Sequence, residues 1–435
     1  MQQGDALTGY SMLALILLAL LASLGLEQLS WAAGFFAWLA ALRLFSRLTS
    51  LQKGQVLVMF LLGFSGLFWG LWREVDLHWW RRAWEANQAL LTMLLSVSFL
   101  RLVAITDLAA KEALPRGKKA LWKTLLGVHA FGAVINFSAM IIMADRLNNQ
   151  RPLTPLQALV ITRGFTMAAN WSPFFAAMGV VLISAPGADL LTLMLVGSLV
   201  AAIGLFLAGY WLLAGTEAAE TQGYPMHLQA LVLPFALAVS VLVSQSIWED
   251  LAILTLVSLL SLIFTLVLLV WRYRLQLVTK RLRQHIEHTL PSMSGELLLF
   301  MGAGVLAAGL GAALQAAEFT LQLDYFGPWQ AWWLLVVLVL VSAVGVHPVI
   351  SIATAGGIFA PWVDDPNLLA LVFLMTWSLG VAISPLSGTH LAMQGRYGLP
   401  AHSFTRLNFK FVLLMLLVNW VALQAYSYLI SDSFW

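Results

Sequence analysis

The side chains able to do chemistry fall in four short stretches of an otherwise apolar chain. GVHAFGAVINFSAM, residues 127–140, holds His129, Asn136 and Ser138, and AANWSPFFAAM, residues 168–178, holds Asn170, Ser172 and Pro173. GVHPVISIATAGGI, residues 345–358, holds His347, Ser351 and Thr354, and VAISPLSGTHLAM, residues 381–393, holds Ser384, Pro385, Ser387, Thr389 and His390. Hydroxyl and amide oxygens are hard ligands that suit an alkali cation. Backbone N–H groups at a helix start suit an anion. Neither Asn136 and Ser138 nor Ser351 and Thr354 have a carboxylate beside them, so no metal is expected beyond an alkali cation.

Each residue also has a plainer role. A lone Ser or Thr in an apolar helix bonds its own backbone or glues helices together; recurrence of these residues at matching places favours a site. His129 and His347, each the third residue of a Gly-Val-His triplet, can relay protons or simply satisfy a carbonyl at a bend. His390, beside the second Ser-Pro step, is the better candidate for touching substrate or carrying a proton. Arg163, seven residues before Asn170, can pair an anionic substrate bidentately or snorkel to the inner surface.

The elements that must position these residues are membrane helices. The 435 residues are 61% hydrophobic and 10% charged, and apolar runs long enough to cross a bilayer recur throughout. With no cysteine, the chain has no disulfide framework and no thiolate metal, haem or iron–sulfur site. The apolar runs predict an all-α polytopic protein with eleven spans, near 9–26, 31–47, 55–73, 88–106, 157–183, 189–214, 227–247, 250–272, 294–314, 366–389 and 408–430. Two further apolar segments, 122–146 and 333–361, are interrupted by Gly, His, Asn, Ser or Pro and read as re-entrant hairpins. The opening MQQGDALTGY lacks the basic region of a cleaved signal, so the first run is expected to be a retained helix.

Charge supports the hairpins. With the N-terminus inside and both segments returning to their own side, most of the 23 basic residues fall on the cytoplasmic side. They are Arg43, Arg47, Lys53, Lys111, Arg116, Lys118, Lys119, Lys123, Arg146, Arg151, Arg272, Arg274, Lys280, Arg281, Arg283, Arg396, Arg406 and Lys410. Only Arg73, Arg81 and Arg82 fall outside. The expected location is a bacterial inner membrane, with the C-terminus external.

The polar stretches come in matched pairs, so the chain reads as an extra N-terminal helix, 1–28, followed by two repeats. The first, 29–215, contains the hairpin 122–146 and a broken helix 157–183; the second, 226–432, contains the hairpin 333–361 and a broken helix 366–393. Five crossings per repeat invert the second against the first. Inverted repeats build secondary transporters, whose sites lie where discontinuous helices meet.

At these residues the sequence resembles the ion transporter superfamily, most closely the divalent anion/sodium symporter family. NFSAMIIMA from Asn136 and SIATAGGIFAP from Ser351 resemble that family's hairpin tips; NWSPFFAAM and ISPLSGTHLAM resemble its helix breaks. The tips depart from the family's Ser-Asn-Thr: Phe137 replaces a polar residue in the first, and the second lacks Asn. The resemblance implies one cation site from Asn136, Ser138 and the break at Asn170 and Ser172. It implies another from Ser351, Thr354, Ser384, Ser387 and Thr389, with substrate between the tips. It also implies a homodimer.

The function expected is secondary active transport of a small anionic, carboxylate-like solute, coupled to H⁺ or Na⁺, by an elevator-type alternating-access mechanism. No organic cofactor is expected, and the partners are the solute and membrane lipids. The competing classes are an integral-membrane enzyme acting on a lipid-linked substrate, with a histidine base, and a channel built on the same repeats. No Walker sequence is present, so transport must use an ion gradient or run downhill. Residues 300–314, FMGAGVLAAGLGAAL, have the spacing of close helix packing rather than of a dinucleotide loop. Residues 75–86 are expected at the outer interface. Residues 271–288 form a basic arm, expected as a helix extension touching anionic headgroups; no nucleic-acid motif surrounds them.

Overall fold

The computed structural model describes residues 5–104, 113–149, 151–226, 232–320 and 325–431. Lys111, assigned above to the inner surface, lies outside them. The described residues are helical, with one isolated β-bridge between Arg116 and Gln222.

In chain order the first half holds α1 (Ala6–Ser23), α2 (Leu29–Leu44), α3 (Ser50–Trp72), α4 (His78–Trp84) and α5 (Gln88–Ser98). It continues with α6 (Lys118–Ile135), α7 (Phe137–Asn148), α8 (Pro155–Met167), α9 (Ala176–Ser184) and α10 (Leu190–Leu212). The second half holds α11 (Val232–Ile247), α12 (Ile253–Arg272), α13 (Leu275–Gln284), α14 (Ser294–Ala316) and α15 (Pro328–Ala343). Then come α16 (Pro348–Phe359), α17 (Pro366–Ile383), α18 (Gly388–Tyr397) and α19 (Ala401–Ser431).

Several starts are written in the sequence. Thr49 and Thr154 each form a capping box with a glutamine three residues on, Gln52 and Gln157. Asp189 and Asp365 accept N–H groups at the heads of α10 and α17, the latter with Pro366 in the first helical position.

Among the described residues nine helices are long and apolar enough to cross a membrane, as in an integral membrane protein. They correspond to the predicted spans except two. The span predicted at 157–183 is divided into α8 and α9, and that at 227–247 is described only from Val232. The segment 122–146 is α6 and α7, joined at Asn136, whose backbone has φ +50°. The segment 333–361 is α15 and α16, joined through Gly345 at φ +105°.

The chain divides into two compact units. Unit 1 comprises Met1–Val103, Ser240–Gln322 and Ala353–Pro361; unit 2 comprises Ala104–Val239, Leu323–Ile352 and Trp362–Trp435. The division runs through α16, after Ile352.

Within unit 1, α3 packs on α14 and α5 on α12, while α1 lies against α2. The α3–α14 contact brings backbones together: Gly63 and Gly66 meet the backbones of Val305 and Gly309, while Gly302 meets the Met59 side chain. Residues 300–314 therefore do pack closely through small side chains. Helix α14 starts at Ser294 after Met293, which makes no side-chain bond, and Glu296 stands in its first turn. The basic arm is not a continuation of α12. The chain turns extended at Tyr273 and restarts as α13, with the Arg281 guanidinium 4.0 Å from the centre of the Tyr273 ring.

Within unit 2, α6 packs on α8 and α15 on α17; α10 packs on α8 and α19 on α17; and α8 meets α17. Almost every residue of α8 and all but the first two of α17 are buried. An apolar helix buried all round is a core element rather than a lipid-facing one.

Candidate functional site

All the residues singled out from the sequence fall in unit 2 except Thr354, which stands beyond the division within α16. The first assembly forms where α8 stops. After Met167 the chain makes a turn of 3₁₀ helix over Ala168–Asn170, and Pro173 removes the N–H that would have bonded the Ala169 carbonyl. The Asn136 side chain repairs the gap from the α6–α7 joint. Its Nδ2 donates to the Phe174 carbonyl at 2.8 Å, and its Oδ1 accepts from Ala176 N at 3.3 Å. Ser172 Oγ donates to the carbonyl of Ala133 near the end of α6 and accepts from Phe174 N at 3.2 Å. Asn136 and Ser172 thus sew the reversal to the break. Ser138, in the first turn of α7, is half-buried.

Asn170 is buried, and its Nδ2 donates to Met167 O at 3.2 Å and to Ser378 Oγ of α17 at 3.0 Å, linking the first break to the second broken helix. Its carbonyl lies so close to Gly197 of α10 that a Cβ there would overlap it.

The second assembly forms where α17 stops. Pro385 leaves the Val381 carbonyl without its helical donor, and the next three carbonyls each take a side chain. Ala382 O accepts from Asn408 Nδ2, Ile383 O from Thr405 Oγ1, and Ser384 O from His390 Nδ1, all at 2.8 Å. Ser384 Oγ accepts from Leu386 N at 3.3 Å, the same bond that Ser172 makes two residues on in the first break. Ser387 caps α18 by accepting from His390 N at 3.4 Å, and its hydroxyl bonds that of Thr389 at 2.9 Å. Ser387, Thr389 and His390 are buried, whereas Gly388 between them is exposed, with open space where a Cβ would stand. The head of α18 is thus reachable.

The α15–α16 joint lies against this break, with the Leu386 side chain over Gly345. Here the joint between the two helices falls at Gly345, six residues before Ser351. Ser351 is in the first turn of α16, its Oγ donating to Pro348 O at 3.0 Å, and Thr354 lies further along the same helix. His347 sits in the joint and accepts from Val349 N through Nδ1 at 3.2 Å, while its ring meets Trp377 edge-on at 5.7 Å. His129 is in mid α6, seven residues before its reversal. Its Nδ1 donates to Gly164 O at 3.3 Å and its Nε2 accepts from Trp171 Nε1 at 3.1 Å, so both ring nitrogens are used by a neutral imidazole. The two Gly-Val-His triplets do not occupy equivalent places.

Arg163 does not snorkel. It is buried, with Nε donating to Asn408 Oδ1 at 2.8 Å, Nη2 donating to Leu407 O at 3.0 Å, and its guanidinium 4.4 Å from the centre of the Phe411 ring. No carboxylate pairs with it among the described residues.

The sequence reading missed the partners Ser378, Thr405 and Asn408, and the close approach at Gly197. Asn408 and Ser378 could have been flagged as polar residues inside apolar helices; which group they satisfy depends on packing between distant segments.

No family model matches the chain, and no curated protein matches it.

Proposed function

We propose that the protein is a secondary active transporter for a small anionic, carboxylate-like solute. The observation that carries this reading is the gathering of two Ser-Pro helix breaks and two helix joints of positive φ, at Asn136 and Gly345, one of each from either half of the sequence, into unit 2. Broken helices expose backbone groups that hydrocarbon cannot satisfy. They persist inside a membrane where the protein or a polar site takes those groups.

Length supports the re-entrant reading. The helices α6, α7, α15 and α16 have 18, 12, 16 and 12 residues. At about 1.5 Å per residue α7, α15 and α16 fall well short of a hydrocarbon core about 30 Å thick, whereas α6 has the same length as α1. The packing pattern supports two repeats. First hairpin helix on broken helix, and closing helix on broken helix, occur once in each half, and α3 with α14 mirrors α12 with α5. Their inverted relation follows from the odd number of crossings in each.

In this reading the N-terminal turn of α18, reached at Gly388, receives the solute's negative charge. For Na⁺ the ligands are hydroxyl and carbonyl oxygens of the two breaks; for H⁺ the carrier is a histidine, His129, His347 or His390. The part that moves is the hairpin and broken helix of each half, whose polar groups are already packed and can cross the bilayer without meeting lipid.

The test is uptake into proteoliposomes of radiolabelled mono- and dicarboxylates under imposed proton or sodium gradients. Saturable accumulation driven by one of the gradients is the expected result. Flux linear in concentration identifies a channel, and product formation without accumulation identifies an enzyme.

A further inference from the structure

The second break contains a buried nitrogen with nothing to do. The bond from His390 to the Ser384 carbonyl fixes the ring: a carbonyl only accepts, so Nδ1 carries the hydrogen and Nε2 of the neutral imidazole is a bare acceptor. His390 is fully buried, and its Nε2 has no hydrogen-bond partner among the described residues. The ring lies flat on Phe404 of α19, 4.5 Å between centres and 12° between planes. Buried polar atoms without partners are rare and call for an explanation.

We propose that His390 Nε2 binds the coupling proton, and that protonation there opens the second break. The proposal rests on the transporter reading and narrows its coupling ion to H⁺. In the packing observed, a hydrogen on Nε2 is a buried donor without an acceptor, and the imidazolium is a buried charge without a counter-charge; each is costly. Proton and closed packing therefore exclude one another. The proton binds when α18 and α19 part, and its departure lets them close.

No neighbouring group competes for this role. From α19, Phe404 faces the ring, while His402, Arg406 and Lys410 are exposed. On α18 itself, Arg396 is exposed and pairs with Asp145 of α7 at 3.1 Å, to which Tyr397 also donates at 2.7 Å. The helix α17 contributes no charged residue. None of these groups forms an ion pair with His390 among the described residues.

The measurement is amide hydrogen exchange of the full chain in nanodiscs, corrected for intrinsic rates, between about pH 8 and about pH 5. The comparison is with His390→Asn, whose Nδ2 can keep the bond to Ser384 O but offers no titratable nitrogen. In the native protein, residues 384–404 are expected to lose protection several-fold as pH falls, whereas the variant keeps its protection. His390→Gln, with a longer arm, serves as a second non-titrating replacement if the first does not fold. Protection independent of pH in the native chain, or an unchanged pH response in a folded variant, overturns the proposal. The transporter reading fails separately, if no carboxylate accumulates in the uptake experiment.

Discussion

Arg163 and Asn408 form one polar chain across unit 2: the guanidinium donates to the amide oxygen at 2.8 Å, and the amide nitrogen donates to the Ala382 carbonyl freed by the second break. The first broken helix thereby steadies the end of the second. Replacing Asn408 with Leu removes both bonds and leaves a buried cation and a buried carbonyl short of partners. We expect a loss of about 1.5 to 3 kcal/mol, measured by denaturant or thermal unfolding in detergent. An unchanged midpoint would show that the guanidinium finds its partner elsewhere.

Asn136 combines an uncommon backbone conformation, φ +50° and ψ −138°, with two side-chain bonds to the first break. Asn136→Gly keeps the backbone and loses the bonds; Asn136→Ala loses the bonds and adds strain. Stability should therefore fall in the order native, Gly, Ala, by about 1 to 3 kcal/mol for the first step. Equal stability of the Gly and Ala variants would refute the strain assignment.

Gly197 and Gly66 lie where a Cβ would strike backbone, at the Asn170 carbonyl and at Gly309 respectively. Gly66→Ala should cost about 1 to 3 kcal/mol through overpacking and leave solute affinity alone. Gly197→Ala should cost a similar amount and also displace Asn170 from Ser378, changing uptake. If both variants alter uptake alike, the first break is not special.

Much of this was legible in the chain, for identifiable reasons. Long apolar runs bounded by capping residues such as Thr49, Thr154 and Asp365 mark helices whatever their neighbours. The Ser-Pro steps mark breaks because proline removes a donor locally. The joint within 333–361 falls at Gly345, ahead of Ser351, where matching the two Gly-Val-His stretches puts the tip. Glycine followed shortly by proline is itself a stop-and-start signal, and here Gly345 and Pro348 turn the chain. The partners of the freed carbonyls were not legible, since Asn408 and Thr405 reach the break only through the packing of α19.

His285, in the π-helical turn after α13, is held well below the ordinary histidine range, to about 3, first by burial and then by the positive charge of Arg101. Its Nε2 meets Ser98 Oγ at 2.9 Å and its ring lies against Phe99. Because the folded value is depressed, the folded state binds fewer protons than the unfolded one at mildly acid pH. The stabilisation is present above about pH 6.5 and is lost as pH falls toward about 3. Acidification should lower the Tm of the native chain through this window, and His285→Gln should flatten that slope. A slope unchanged in the variant would assign it to other groups.

The account depends most on two apolar segments turning back inside the membrane, and the absence of cysteine from the chain makes this directly measurable. Single cysteines at Lys118, Asn149, Trp329 and Trp362, all exposed, bracket the two segments. Labelled with an impermeant maleimide from either face of oriented vesicles, Lys118→Cys and Asn149→Cys should react from one face, and Trp329→Cys and Trp362→Cys from the other. Reaction of either pair from opposite faces would make that segment a full crossing and contradict the account.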